Sequence, residues 1–228
     1  AKIISGYCSA LIIRTFAQSD VDQLGAYASI PVINALTDVD HPTQLLADWL
    51  TIRENFGTDI SGRKFVYLGD GNNMSHAWLI MGAIMGAHVV AATPSGKWAP
   101  DPVVVAVAKN IAANSGGKVE VTNDPEAAAK DASVLYTDVW MSMGDSESDR
   151  AEKMKVLSPY AVTENLMKMS SKDSLFMHCL PAHRGEEVEA SVIDGPRSVI
   201  WREAYHRRTT IQSILYHLVR GDLKGYTH

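Results

Sequence analysis

The sequence predicts an α/β protein with two doubly wound parallel-sheet domains, of which the first is incomplete. Short runs of β-branched and apolar residues alternate along the chain with longer segments in which apolar residues recur every three or four positions. Such alternation is typical of parallel strands joined by crossover helices. The run at residues 65–68 is apolar at nearly every position, which indicates a strand with both faces covered.

The strands are predicted at residues 10–13, 31–34, 65–68, 88–92, 119–122, 133–136, 175–178 and 198–201. Helical spacing is clear between the second and third strands, where Leu45, Trp49 and Ile52 recur on one face. Three helix starts are marked by a proline at the first helical position. They are His41-Pro42, Asp101-Pro102 and Asp124-Pro125. A last helix is predicted at about residues 203–219.

The order of these elements divides the chain into two domains. From residue 64 to residue 140, strands and helices alternate as in half of a doubly wound sheet. Only two strands precede this segment, too few for a sheet of usual size. Residues 57–63 are the best candidate for a linker. We therefore predict a partial domain at 1–57, completed by a returning helix at 203–228, and a second domain at 58–202.

Composition narrows the class of protein. The chain has 228 residues, 46% of them apolar and 21% charged, which fits a globular protein. A net charge of −5 disfavours nucleic acid as a partner. Two cysteines cannot form a disulfide framework and favour a reducing compartment, so we expect a cytoplasmic protein. Gly82, Gly86 and His88 break the most apolar stretch, and no membrane span or signal peptide is expected.

A glycine-rich turn, Gly69-Asp70-Gly71-Asn72-Asn73, follows the third strand and opens a helix. Backbone N–H groups of such a turn can bind an anion at the carboxyl edge of the sheet. A tight turn with an asparagine cap is equally compatible with the spacing. A dinucleotide site, the mark of an oxidoreductase, is a weaker alternative because the third glycine of its fingerprint is replaced by Met74.

A second segment at the same edge begins at Asp138 and includes Ser142 and Met143. A carboxylate suits an ammonium group, while a hydroxyl and a backbone amide suit a carboxylate. The segment therefore predicts a clamp for an amino acid. The alternative is that Asp138 caps a helix and its apolar neighbours only pack.

The segment at residues 178–187 follows another apolar strand and places Cys179 and Leu180 at the sheet edge. A nucleophilic cysteine with a histidine partner and a buried, inert thiol both fit. A zinc site of His178, Cys179 and His183 is a weaker hypothesis, because the usual ligand spacing is absent.

Three polar side chains, Arg14, His41 and Gln44, follow the first two strands. A guanidinium, an imidazole and an amide at the ends of strands can polarise a carbonyl oxygen. Arg207 belongs to a basic cluster near the start of the last helix, which opposes the helix dipole unless an anion binds there. Taken singly, each of these residues also fits a surface ion pair or a helix cap.

Four motifs in this order resemble the ornithine carbamoyltransferases of the transcarbamylase family. They are His-Pro-x-Gln at 41–44, Gly-Asp-Gly-Asn-Asn at 69–73, Ser-Met-Gly at 142–144 and His-Cys-Leu-Pro at 178–181. The resemblance implies carbamoyl transfer from carbamoyl phosphate to the δ-amine of ornithine, giving citrulline and phosphate. It implies no cofactor and no metal, small-molecule partners only, and a trimer-based homo-oligomer.

The resemblance also implies a role for each matching residue. Carbamoyl phosphate would be held by six residues and ornithine by four, with Arg14, His41, Asp138 and Cys179 as the catalytic set. The carbamoyl phosphate residues are Arg14, His41, Gln44, Cys179, Leu180 and Arg207. The ornithine residues are Asn73, Asp138, Ser142 and Met143, with Asn72 as the alternative to Asn73.

One departure from the family concerns the phosphate. The Ser-x-Arg-Thr motif that holds it in the family has no match in the thirteen residues before Arg14. We therefore expect this chain alone to be impaired, whether it is a fragment or a short form. The alternative from another class is a non-catalytic amino-acid-binding or interaction protein derived from a transcarbamylase.

Overall fold

The structure is a computed structural model, and it describes residues 1–141 and 147–222. Within them the helices are α1 (Lys2–Ser5), α2 (Gln18–Tyr27), α3 (Pro42–Phe56), α4 (Asn73–Ile84), α5 (Pro102–Ser115), α6 (Pro125–Ala129), α7 (Glu147–Leu157), α8 (Glu164–Met169), α9 (Ala190–Ile193) and α10 (Ile200–Arg220). The strands are β1 (Leu11–Arg14), β2 (Val32–Leu36), β3 (Lys64–Leu68), β4 (His88–Ala92), β5 (Lys118–Thr122), β6 (Val134–Thr137) and β7 (Leu175–His178).

The strands form two parallel sheets. β1 and β2 pair in a two-stranded sheet, and the other five follow the order β5-β4-β3-β6-β7. We call the parts built on these sheets the two-stranded lobe and the five-stranded lobe. In the larger sheet the chain moves outward from β3 in one direction and then returns to β6 on the other side of β3. The carboxyl ends of β3 and β6 therefore flank a topological switch point, where ligands bind in open α/β sheets.

The last helix joins the two lobes. α10 follows the five-stranded sheet and packs along α3, which belongs to the two-stranded lobe. Thr51 Oγ1 of α3 lies 2.8 Å from His206 Nδ1 of α10, and Arg202 forms a salt bridge with Glu54. The last helix thus returns to the two-stranded lobe as predicted, and it ends at Arg220. Residues 223–228 lie outside the described residues.

A buried aromatic cluster fixes α3 against the larger sheet. The rings of Trp49 and Phe65 are 5.3 Å apart, and those of Trp78 and Tyr136 are 4.7 Å apart. All four side chains are buried, and Trp49 comes from α3 whereas the others come from β3, α4 and β6. Aromatic pairs at these distances add about 0.5–1.5 kcal/mol beyond the burial of their area. The hydrophobic core thus runs from one lobe into the other.

Seven of the eight predicted strands are present within two residues of their expected bounds. The strand predicted at 198–201 is wrong. Ser198 forms one isolated bridge with Phe176, and the backbone turns into α10 at Ile200, whose side chain is buried. Among the helices of the described residues, none is long and apolar enough to cross a bilayer.

Candidate functional site

A cavity of about 390 Å³ opens at the carboxyl edge of the sheets, between the two lobes. Its size falls within the range of small-molecule sites. Most of the residues that line it lie at or just after the ends of β1, β2, β3, β6 and β7, and α4 and α7 complete the lining. Among them are the predicted site residues Arg14, His41, Asn73, Asp138, Cys179 and Leu180. The structure therefore brings together residues from both lobes.

Asp138 is buried at the end of β6, and both of its carboxylate oxygens accept hydrogen bonds. The Tyr67 hydroxyl donates to Oδ1 at 2.7 Å, and the Asn72 amide donates to Oδ2 at 2.8 Å. Burial raises the pKa of Asp138 to about 6, although these two hydrogen bonds oppose the shift. The carboxylate is therefore ionised at neutral pH and faces the cavity, a position that suits an ammonium ligand better than a helix cap.

The glycine-rich turn after β3 is a helix cap. The Asn72 side chain accepts hydrogen bonds from the N–H groups of Met74 and Ser75, so these two amides are not available to an anion. Residue 71 must be glycine because the backbone of Ala99 packs directly against it. A Cβ atom there would lie 2.1 Å from the backbone carbon of Ala99. Of the two alternatives, the structure favours the cap.

The two asparagines of this turn have different roles. Asn72 caps α4 and also holds Asp138. Asn73 lines the cavity and donates a 2.8 Å hydrogen bond to the backbone oxygen of Thr37 in the two-stranded lobe. Asn73 thus ties the turn to the opposite wall of the cavity, and Asn72 positions the carboxylate.

His41 is neutral across the physiological range. Burial, with the positive charges of Arg207 and Arg14, lowers its pKa to about 3. A neutral imidazole contributes hydrogen bonds but no charge, so Arg14 supplies the positive charge on this side of the cavity.

Gln44 and Arg207 are close to the cavity but do not line it. The Gln44 amide donates to Asp48 at 2.8 Å and to Glu203 at 3.0 Å, and its carbonyl oxygen accepts from Arg207. Gln44 is buried and all three of these bonds are internal. In this structure, therefore, Gln44 orients the guanidinium of Arg207, a role that the sequence did not predict.

Cys179 is a neutral thiol in the wall of the cavity. Burial raises the pKa of the thiol well above its usual value, and the nearby charges of Asp138 and Glu203 add to the shift. A thiolate nucleophile is therefore disfavoured. The next residue, Leu180, adopts a left-handed backbone conformation with φ of 57°, and a cis peptide bond links it to Pro181.

The zinc hypothesis does not fit the ring of His178. Its Nδ1 accepts the backbone N–H of Leu180 at 2.8 Å, and its Nε2 lies 3.4 Å from a carboxylate oxygen of the buried Glu187. Both ring nitrogens are thus directed at protein groups. The predicted set of His178, Cys179 and His183 offers no shared metal position.

Two residues of the site carried no signal in the sequence. Lys153 of α7 is almost fully buried, and its ammonium group lies 2.7 Å from Asp70 at the edge of the cavity. Tyr67 belongs to the apolar run at residues 65–68, but its hydroxyl donates the shorter of the two hydrogen bonds to Asp138. Ser142 and Met143 lie outside the described residues, so their predicted contacts with an amino acid stay predictions.

The chain matches the models of two domains of one protein family. The model described as "Aspartate/ornithine carbamoyltransferase, Asp/Orn binding domain" matches residues 61–218. The model of the carbamoyl-P binding domain of the same family matches residues 1–54. The two matches leave residues 55–60 between them, which overlap the linker predicted at 57–63.

Individual relatives agree with these matches. The chain is 49% identical to an ornithine carbamoyltransferase of Pyrococcus horikoshii, over 99% of this chain and 70% of the relative. It is similar to the solved structure of the Pyrococcus furiosus enzyme of that name, with 48% identity and a TM-score of 0.90 over 97% of this chain and 70% of the other. The corresponding structure from Giardia lamblia has 33% identity and a TM-score of 0.90, covering 97% and 73%.

Proposed function

From the premise that the chain belongs to the aspartate/ornithine carbamoyltransferase family and is a transferase of the ornithine carbamoyltransferase type, we propose how its residues carry out the transfer. The reaction moves the carbamoyl group of carbamoyl phosphate to the δ-amine of ornithine. The two-stranded lobe, predicted at residues 1–57 and packed against the returning helix α10, binds carbamoyl phosphate. The five-stranded lobe, residues 58–202, binds ornithine.

Ornithine binds through its α-ammonium and α-carboxylate groups. The ionised Asp138 holds the ammonium, and Tyr67 and Asn72 keep the carboxylate in place. Asn73 lies beside it in the same cavity and donates to the α-carboxylate. Ser142 and the backbone N–H of Met143 complete this clamp, as the family resemblance implies. With both α-groups held, the δ-amine points across the cavity toward the two-stranded lobe.

Carbamoyl phosphate binds against the opposite wall. Arg14 lines this wall and faces its negative charge, and Arg207, oriented by Gln44, adds a second positive charge close to the cavity. His41, as a neutral imidazole, hydrogen-bonds the carbamoyl group. Cys179 and the backbone of Leu180 form the surface between the two substrates.

The chemical step needs no covalent intermediate with the protein. The neutral δ-amine attacks the carbamoyl carbon, a C–N bond forms, the C–O bond to phosphate breaks, and the amine's proton passes to the departing phosphate. Bringing the two reactants together supplies much of the acceleration, worth up to about 7–11 kcal/mol in favourable cases. Arg14 stabilises the negative charge that develops on the carbamoyl oxygen. A neutral Cys179 thiol is consistent with this direct transfer.

The single observation that carries the proposal is the convergence of Asn73, Asp138 and Cys179 on one cavity with Arg14 and His41. Association into a homo-oligomer, trimer-based as the family resemblance implies, and a cytoplasmic location belong to the same proposal. Two free cysteines accord with a reducing compartment.

The test is citrulline formation from ornithine and carbamoyl phosphate by the purified chain. We expect citrulline with ornithine and no carbamoylated product with aspartate, even if the absence of a Ser-x-Arg-Thr match lowers the rate. Asp138→Asn provides the matched control, because it keeps the shape of the side chain and removes its charge. Citrulline formation at the same rate by both chains contradicts the assignment, as does a preference for aspartate.

A further inference from the structure

Two carboxyl groups, Asp48 of α3 and Glu203 of α10, lie side by side in the interior where α3 meets α10. Both residues are fully buried. The amide nitrogen of Gln44 donates to Oδ1 of Asp48 at 2.8 Å and to Oε1 of Glu203 at 3.0 Å, so one nitrogen joins the two carboxyl groups. The carbamoyl transfer described above uses neither group directly.

Both carboxyl groups accept from the same amide nitrogen and are therefore close together. Ionising both of them in the buried interior would cost a large amount of free energy. Burial raises the pKa of both groups, and for Glu203 the charge of Asp48 raises it further. The pair is therefore best described as a unit that holds one proton and one negative charge at neutral pH.

The groups around the pair balance a single negative charge. Arg207, one turn beyond Glu203 on α10, bonds the carbonyl oxygen of Gln44, and its positive charge acts on Asp48. The other titratable groups that face the pair lie on the neighbouring elements. They are Tyr136 of β6 and Cys179 after β7, on which both carboxyl charges act, and His178 at the end of β7, whose backbone N–H bonds Glu203.

The pair is connected to the transfer site at two points. Oε2 of Glu203 accepts the backbone N–H of His178 at 3.0 Å, and this residue immediately precedes Cys179 and Leu180 in the cavity wall. Gln44, held by both carboxyl groups, in turn holds Arg207. A change in the charge of the pair therefore acts on the cavity wall through His178 and on the Arg207 guanidinium through Gln44.

We propose that Asp48 and Glu203 are a positioning pair for carbamoyl transfer, which share one proton and lock Gln44, Arg207 and the backbone of His178 in their working arrangement. The proposal rests on the function proposed above. When the pair loses its last proton, it gains a second negative charge. This charge attracts the Arg207 guanidinium and repels the incoming phosphate. Carbamoyl phosphate then binds more weakly, so the pair sets an upper pH limit for binding.

The shared proton can be tested in the unaltered chain. With ¹³C in the side-chain carboxyl of glutamate, NMR follows the ionisation of each glutamate against pH. Among the glutamates whose side chains the structure describes, Glu203 is the one with a raised pKa, so one resonance should keep its protonated shift to higher pH than the others. If every glutamate resonance titrates near its ordinary value, the shared proton is ruled out.

The positioning role can be tested by calorimetry with carbamoyl phosphate between pH 6 and pH 9.5. In the unaltered chain the affinity should fall at high pH by about tenfold, the effect of one added charge at a distance of several ångströms. Asp48→Asn keeps the acceptor for Gln44 but limits the pair to one negative charge, so its affinity should not fall. Glu203→Gln limits the charge in the same way and serves if Asp48→Asn does not fold.

Glu54→Gln is the matched control, because it removes an exposed ion pair between the same two helices and leaves the buried pair intact. Its affinity profile should follow that of the unaltered chain. The positioning role is overturned if Asp48→Asn and Glu203→Gln keep the alkaline fall, or if Glu54→Gln abolishes it. A chain that binds no carbamoyl phosphate at any pH contradicts the positioning role and the proposed function together, while the NMR titration still decides the shared proton.

Discussion

The hydroxyl of Tyr67 donates a 2.7 Å hydrogen bond to Oδ1 of Asp138, which joins the carboxyl ends of β3 and β6 inside the larger sheet. These two strands are hydrogen-bonded neighbours at the point where the chain reverses its direction across the sheet. A phenol that reads as one more apolar strand residue thus orients the carboxylate assigned to the ammonium group of ornithine. This hydrogen bond therefore links the pairing of β3 with β6 to the proposed binding of ornithine.

Asp138→Asn should weaken ornithine binding by about ten- to a hundredfold, since a hydrogen bond to a charged group contributes roughly 1.5–3 kcal/mol. Calorimetry with ornithine in the presence of carbamoyl phosphate measures this change. Asp194→Asn, at an exposed ion pair with Arg184, is the control and should bind as the unaltered chain does. Equal affinity in the Asp138 variant would remove this residue from the site.

Ornithine affinity should depend on pH through Asp138. The pKa of this buried carboxyl is raised to about 6, so the group is protonated and uncharged below that pH. We therefore expect affinity to fall by about tenfold for each pH unit below about 6. Calorimetry across pH 4.5 to 7.5 measures this acid limb, and an affinity that stays constant across that range contradicts the assignment.

Tyr67→Phe should move that acid limb to higher pH. The lost hydrogen bond stabilises the charged form of Asp138, so its removal raises the pKa by about one to two units. The same calorimetric titration measures the shift. Tyr160→Phe removes a hydroxyl that bonds the Asn123 backbone far from the cavity, and it should leave the limb unchanged. A limb that stays at its original pH in Tyr67→Phe would show that the phenol does not tune Asp138.

The two cysteines should differ in reactivity. Cys8 is exposed, whereas the thiol of Cys179 has a pKa well above its usual value because of burial and nearby carboxylates. Iodoacetamide at pH 7.5 should therefore modify the folded chain once, at Cys8, as mass spectrometry of peptides will show. The unfolded chain should be modified twice. Equal rates at both cysteines in the folded chain would indicate a reactive thiol in the cavity.

Gly71→Ala should destabilise the fold, whereas Gly25→Ala should not. A Cβ atom at residue 71 would lie 2.1 Å from the backbone of Ala99, while one at residue 25 in α2 meets no atom within 4 Å. We expect a loss of more than about 2 kcal/mol in the free energy of unfolding for the first change. The second should add about 1 kcal/mol, because alanine favours helix over glycine. Urea unfolding monitored by circular dichroism measures both, and a fully stable Gly71→Ala would contradict the close approach.

The sequence predicted the large sheet well because its signals are local. Residues 65–68 and 175–178 are apolar runs, and Asp101-Pro102 marks the start of α5 by itself. The strand predicted at 198–201 failed because a β-branched run cannot reveal that Ile200 is buried at the beginning of a helix.

The sequence predicted only those residues of the candidate site that stand in recognisable motifs. Asp138 and Cys179 stood out as polar residues after apolar strands, and both line the cavity. Lys153 belongs to a helix rich in charged residues, so its burial against Asp70 depends on a tertiary contact that no local pattern reveals. For the same reason, the role of Gln44 between Asp48 and Glu203 required the packing of α10 on α3 to be known.

The most direct measurement of the central claim is a crystal structure of this chain grown with ornithine. The account predicts one ornithine molecule in the 390 Å³ cavity, its α-ammonium at the Asp138 carboxylate and its δ-amine beside Cys179. Asn73 should contact the same molecule. Ornithine bound elsewhere, or in the cavity without a contact to Asp138, would contradict the account.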